Sequence, residues 1–281
     1  MIGRKHFWLS ILTYCLIGLS TFLMQADPKM ISGDATENLS PTLLVMESYA
    51  ERSHDGDWIV TGAEAIENDT IILNGNLIIE PGASLTLTNV TLLFEQKLQD
   101  MYQILAKPSS SLVISNSTIA ASQRDYRFAF IVQGAHFMLK QSKLEGLGRP
   151  SGYTPGGGLL INNTNTTILE GNIINHHESY GVTLSNSTNA TISNNTITCT
   201  GPDETSRGIT LDNSHNNTIT YNHLYRQWDP IHLQSSWDNY IAHNELTLTS
   251  HSIGISIWYG SGNNVIEYNN ISVHEGYDNN T

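Results

Sequence analysis

Cysteine is nearly absent: of two in 281 residues, Cys15 sits in an apolar N-terminal run and only Cys199 lies in the body, so no internal disulfide is available. Stability must come from packing. Cations are scarce as well, with 13 Lys plus Arg against 26 Asp plus Glu and a formal charge of −13. A surface of that sign repels phosphate backbones and anionic lipid, which argues against nucleic acid as a partner. There is no glycine-rich phosphate loop, no nucleophile elbow and no Cys/His spacing of a closed metal site, so no cofactor is expected. Ten of the His residues lie in the body, but His176 and His177 are adjacent and the others are scattered. A calcium site from Asp203, Glu204 and loop carbonyls is the one cation reading the loops allow; Arg226, in the same column as His177 and Glu204, opposes it. Within residues 70–281 no segment has a convincing 3.6-residue apolar period, which excludes helical repeats.

What is present begins with an export pattern. Arg4 and Lys5 precede an uncharged run from Phe7 to Met24, followed by the small residue Ala26. Residues 1–26 are therefore read as a signal peptide or, uncleaved, as a membrane anchor, and the remainder as extracytoplasmic. Residues 27–69 read as an N-terminal segment and cap, with an amphipathic helix expected within 39–53, and 70–281 as the repeat domain. Twelve Asn-x-Ser/Thr sequons, such as those at Asn89, Asn116 and Asn194, could carry glycans, although an Asn- and Thr-rich repeat also produces them by chance.

The repeat is visible in "NATISNNTIT", residues 189–198, and in its near copies further on. One apolar column runs Leu87, Ile114, Leu139, Ile168, Ile192, Ile219, Ile241, Ile266; a second, five residues later, runs Leu92, Ile119, Leu144, Ile173, Ile197, Leu224, Leu246, Ile271. An apolar-x-apolar triplet precedes each pair, from Leu77/Ile79 to Ile255/Ile257. Units of 22 to 29 residues with short period-two strands cannot bury their apolar residues alone. Stacked about 4.8 Å apart, each strand pairs in parallel with its copy in the next unit. The fold expected is all-β, a parallel β-helix of about eight or more turns. Between the two columns the turn position reads Val90, Ser117, Ser142, Gly171, Asn195, Asn222, Asn244, Asn269, and a second corner reads Asn165, Asn189, Asn216, Asp238, Asn263. Asn accepts the left-handed backbone of a bend, and stacked amides hydrogen-bond from turn to turn.

The units "GITLDNSHNNTITYNHL" (208–224) and "PIHLQSSWDNYIAHNEL" (230–246) resemble the right-handed β-helix repeats of the pectin-lyase-like superfamily, in particular its carbohydrate-binding and sugar-hydrolase group with the periplasmic NosD-type proteins. The resemblance covers roughly residues 70 to 275 and implies right-handedness. It implies polysaccharide as a partner and, if the chain is an enzyme, a lyase, glycoside hydrolase or epimerase. The copper that NosD suggests finds no Met/Cys/His cluster here.

The middle residue of each triplet points away from the core and reads Ile78, Leu105, Ile131, Leu160, then Thr183, Thr210, His232, Ser256. The apolar half is expected to be covered, by the N-terminal segment or a protein partner, and the polar half to be open to solvent or ligand. By register Arg207 stacks beside Asp229, with His232 in the same strand, Asp212 and Gln234 at its far end, Trp258 and Tyr259 one turn on, and Trp228 adjacent. Aromatic rings stack on sugars, Arg pairs a uronate carboxylate, and Asp or His moves a proton. Asp229, His232 and Arg207 are the candidate catalytic residues, with Trp228, Trp258, Tyr259, Asp212 and Gln234 for binding. The alternative is a structural or adhesion module in which none of them is catalytic and Arg207 and Asp229 form a surface ion pair.

Overall fold

The computed structural model divides the chain into two units, residues 1–47 and 48–281, and the described residues all belong to the second. They are 51–98, 101–123, 126–148, 158–176, 180–200, 206–248 and 252–273. The apolar run 7–24 lies outside them. So does the helix expected within 39–53, except that residues 51–53 begin a strand, Glu51–Asp55. The first rung therefore starts 19 residues before the expected boundary at 70.

All regular structure among the described residues is strand. The strands fall into three parallel sheets, here A, B and C, of ten, nine and nine strands, and each turn of the chain contributes one strand to each in the order A, B, C. Period-two burial drives this arrangement: Leu77 and Ile79, or Leu85 and Leu87, are fully buried while the residues between them are partly solvated. Each fully buried Ile or Leu contributes about 1.5–3 kcal/mol, and some forty buried apolar residues, stacked rung on rung, form one continuous core cluster.

The triplet register holds throughout: Leu77, Ile104, Phe130, Leu159, Val182, Ile209, Ile231 and Ile255 lie in one continuous column of sheet B. One rung of the other columns is shifted by a residue. Leu169 and Ile174, not Ile168 and Ile173, face the core, and Ile173 is largely exposed. Apolar doublets at both sites make the two registers indistinguishable by pattern. The turn decides between them, because Asn172 Oδ1 accepts from Ser142 N at 2.9 Å and Asn172 N donates to Asn195 Oδ1 at 2.9 Å.

The same correction separates two turn columns that the sequence merges. The buried ladder is Ser117, Ser142, Asn172, Asn195, Asn222, Asn244 and Asn269. Left-handed backbone belongs to the residue before it: Asn116, Gln141, Gly171, Asn194, Tyr221, His243 and Tyr268, with φ between 50° and 68°. The second corner does place Asn189, Asn216, Asp238 and Asn263 in the left-handed region, φ 54° to 56°. Inward residues of the last described rung, Ile257, Ile271 and Val273, are about half exposed.

A bend at the start of each long strand of sheet B sets up the outer face. An added Cβ at Gly208 would clash with Leu224 Cδ2 and meet the Pro230 carbonyl oxygen at 2.6 Å, so this position points into the core, as does Ile209 after it. Two successive inward positions break the alternation. Arg207, which strict alternation would turn inward, lies instead on the outer side with Thr210. Gly208→Ala is expected to cost about 1–3 kcal/mol by overpacking and to pull Arg207 away from its partners, measured as a lowered unfolding midpoint.

Candidate functional site

The candidate residues lie on and beside the outer row of sheet B. Its members pair rung to rung as Thr183, Thr210, His232 and Ser256. The polar half of the row, expected to be open, is buried: these four are 0, 2, 0 and 4% exposed. Short hydroxyl side chains here sit below longer neighbours, among them Trp258, whose ring centroid is 5.6 Å from that of His232. Ile131 and Leu160 are equally buried, and Ile78 and Leu105 are half-buried.

Asp229 precedes Pro230 at the bend, which brings its carboxylate to the same side as His232 three residues on. Its Oδ2 lies 3.0 Å from His232 Nδ1 and accepts from Ser256 Oγ at 2.7 Å; Nδ1 and Oγ are 2.6 Å apart. A carboxylate only accepts, so the network assigns the imidazole proton to Nδ1 and leaves the lone pair on Nε2. That Nε2 is buried and has no hydrogen-bond partner, as do Asp229 Oδ1, Thr210 Oγ1 and Thr183 Oγ1. Four unpartnered polar atoms thus line three neighbouring rungs. Buried polar atoms are ordinarily satisfied, which sets these four apart from the rest of the row.

Arg207 Nε is 3.6 Å from Asp229 Oδ2, and its Nη1 donates to Tyr180 Oη at 3.3 Å with the guanidinium 5.3 Å from the Tyr180 ring centre. One cation balances a buried carboxylate, and a stacked tyrosine fixes the cation's direction. The bend is reinforced on the preceding strand, where a β-bulge between Tyr225 and Gln227 puts Arg226 at φ 62°. Bulges recur next to functional sites because they re-aim the residues that follow, here Trp228 and Asp229.

Of the residues selected from sequence, Asp229, His232, Arg207 and Trp258 come together. Asp212 and Gln234 share one register position with Trp258 at the far end of the strands, and Tyr259 packs on Trp258 at 5.8 Å. Trp228 donates its backbone N–H to Ser206 Oγ at 3.4 Å, on the corner rather than on the row. Asp203, Glu204 and His177 lie outside the described residues, among which no group of three potential metal-ligating side chains occurs. Ser256 and Tyr180 were not selected. Ser256 was legible as the next member of the His232 column, and Tyr180 as the residue stacked on Arg207.

Ser256 and Asp229 share one nitrogen of His232. A nucleophilic serine needs the nitrogen opposite the one its acid partner holds, so this is not a Ser-His-Asp acyl-transfer triad. Asp212 lies five strand positions from the level of Asp229, roughly 16 Å along the strand, beyond the separation of a glycosidase carboxylate pair.

The family model described as right handed beta helix region matches residues 52–229. No curated protein matches the chain. Among solved structures, a double mutant of the periplasmic alginate epimerase AlgG is similar at 13% identity and a TM-score of 0.40, over 80% of this chain and 66% of that one, just under two thirds. Unmutated AlgG is similar at 14% identity and a TM-score of 0.32, over 78% and 76%.

Proposed function

We propose a function for a chain that belongs to the right-handed β-helix family: it binds an acidic polysaccharide outside the cytoplasm, on the outer row of sheet B, and processes it by removing a carbon-bound proton beside a uronate carboxylate. The observation that carries this reading is the buried, unpartnered Nε2 of His232, with Nδ1 held by Asp229 and Ser256. A base needs a free lone pair and an orienting partner on its other nitrogen. In the proposed step the C–H bond breaks, its proton passes to Nε2, and the electron pair spreads into the carboxylate as an enolate. Arg207 supplies the neighbouring positive charge. The enolate then either expels the oxygen on the adjacent carbon, which takes the proton from Nε2 as it leaves, forming a double bond and cleaving the chain, or takes a proton from solvent water on the opposite face while Nε2 returns its own to solvent, inverting the centre. Exclusion of water strengthens each of these electrostatic contacts. Trp258, half-exposed against the imidazole, is the side chain on which an incoming sugar would stack.

One observation favours a second reading, a structural or adhesion module: Asp229, His232 and Ser256 are all below 5% exposed and could serve only to join rungs. A glycan array separates the two. The full chain is expected to bind polyuronates, and an Asp229→Ala/His232→Ala double variant with an unchanged circular dichroism spectrum to bind them at least tenfold more weakly. Equal binding by both proteins, or none by either, would leave the structural reading.

A further inference from the structure

A second site lies on the corner between sheets A and B, several rungs before the His232 cluster. It is an open cleft of about 650 Å³ in which no residue of the proposed reaction site takes part. Its floor is made of small residues, Ala120 and Gly146 among them. Gly146 sits at φ +76° in a β-bulge between Glu145 and Leu147, and an added Cβ there would meet the Tyr126 carbonyl oxygen at 3.0 Å. The glycine thus lets the Tyr126 segment approach and form the wall. The two β-bulges of sheet A among the described residues, this one and that at Tyr225–Gln227, fall on this corner, one at the cleft and one beside Asp229.

The lining chemistry is that of a saccharide site. Gln123 and Asn175 offer amides, Tyr126 a ring and a phenol, and Arg127 a guanidinium; the carboxylate that shares the lining, Glu145, is paired with Lys143 at 2.7 Å. Amides and a phenol match sugar hydroxyls, and a guanidinium matches a carboxylate. In a chain of net charge −13, a polyanion is held only where cations are placed for it. Arg207 opens its sheet-B strand and Arg127 lies two residues before another, three steps earlier in the sheet: Ala129–Gln133 to Leu159–Asn162 to Tyr180–Ser185 to Arg207–Asp212. At about 4.8 Å per rung that is roughly 14 Å, a span of a few sugars of an extended chain.

We infer that this cleft is a remote subsite for the same acidic polysaccharide, with Arg127 holding the carboxylate of a sugar several residues from the one at His232. The inference rests on the reading proposed above. The site would make affinity depend on chain length, because a disaccharide reaches only one of the two cations.

Calorimetric titration of the full chain with 1,4-linked oligouronates of two and six residues tests it. Arg127→Gln is expected to weaken the six-residue ligand about tenfold while leaving the affinity for the two-residue ligand unchanged, and Arg127→Lys to restore part of the loss. An unchanged affinity for the six-residue ligand in a folded Arg127→Gln protein, or an equal loss for both lengths, would overturn the subsite. If that happens while His232→Gln still abolishes turnover, only the cleft assignment falls. If no oligouronate binds the unaltered chain, the cleft and the proposed function fall together.

Discussion

His232→Gln is expected to lower turnover of a polyuronate by about 10²–10⁴ while changing its affinity less than twofold. Glutamine fills similar space and keeps a polar contact toward Asp229 and Ser256, but it offers no basic lone pair where Nε2 now lies. Because the imidazole is packed at 0% exposure among groups that remain, the fold should survive the change. Asp229→Asn acts one step removed: an amide can donate to Nδ1 and leave the lone pair on the wrong nitrogen, so turnover should fall by on the order of 10²–10⁴ as well. The two losses should not add, since both remove the same base. A double variant no slower than His232→Gln alone would identify Asp229 as a positioning residue. Turnover is measured by initial rates at saturating polymer, with circular dichroism confirming the fold.

The second large effect concerns stability. Asn222→Ala is expected to cost about 3–5 kcal/mol in urea unfolding, against about 1 kcal/mol for Asn194→Ala on the preceding rung. Asn222 Oδ1 accepts from both Asn195 N, at 3.1 Å, and Asn195 Nδ2, at 2.9 Å. Its Nδ2 donates to the Ile192 carbonyl at 2.8 Å and to Asn244 Oδ1 at 3.0 Å. Truncation would strand a buried backbone N–H and a carbonyl, and each stranded buried group costs about 1–3 kcal/mol. Asn194 is exposed and its contribution is the left-handed backbone at φ 57°, so Asn194→Gly should be close to neutral. Equal costs for Asn222→Ala and Asn194→Ala would mean that the buried ladder adds nothing beyond turn geometry.

These two asparagines show what could and could not be read from the chain. Periodicity identified the parallel β-helix and placed every sheet-B triplet in register, because a one-residue slip there would turn Leu, Ile and Val out to solvent. Where the sequence offers doublets, Ile168–Leu169 and Ile173–Ile174, that penalty vanishes, and the register is set instead by the hydrogen bonds of Asn172. The two asparagine roles, inward ladder and outward left-handed bend, occupy adjacent positions and share a composition, so they merge in a column of letters. The stacking of Arg207 on Asp229 was legible from spacing alone. Their position on the outer face was not, since it depends on Gly208 and Pro230 lying at an inward bend that breaks the period of two. Burial of Thr183, Thr210 and His232 was likewise beyond the pattern, which separates the two faces of a strand and carries no information about cover above the outer one.

Exchange of carbon-bound hydrogen bears most directly on the central claim. A polyuronate is incubated with the chain in deuterium oxide and followed by proton NMR at the carbon bearing the carboxylate. Proton removal by His232 predicts either deuterium at that carbon or a new double bond beside it, with the unaltered chain and not with His232→Gln. Polymer that is bound but keeps its full hydrogen content would contradict the claim and leave the buried Asp229–His232–Ser256 network as a structural joint between rungs.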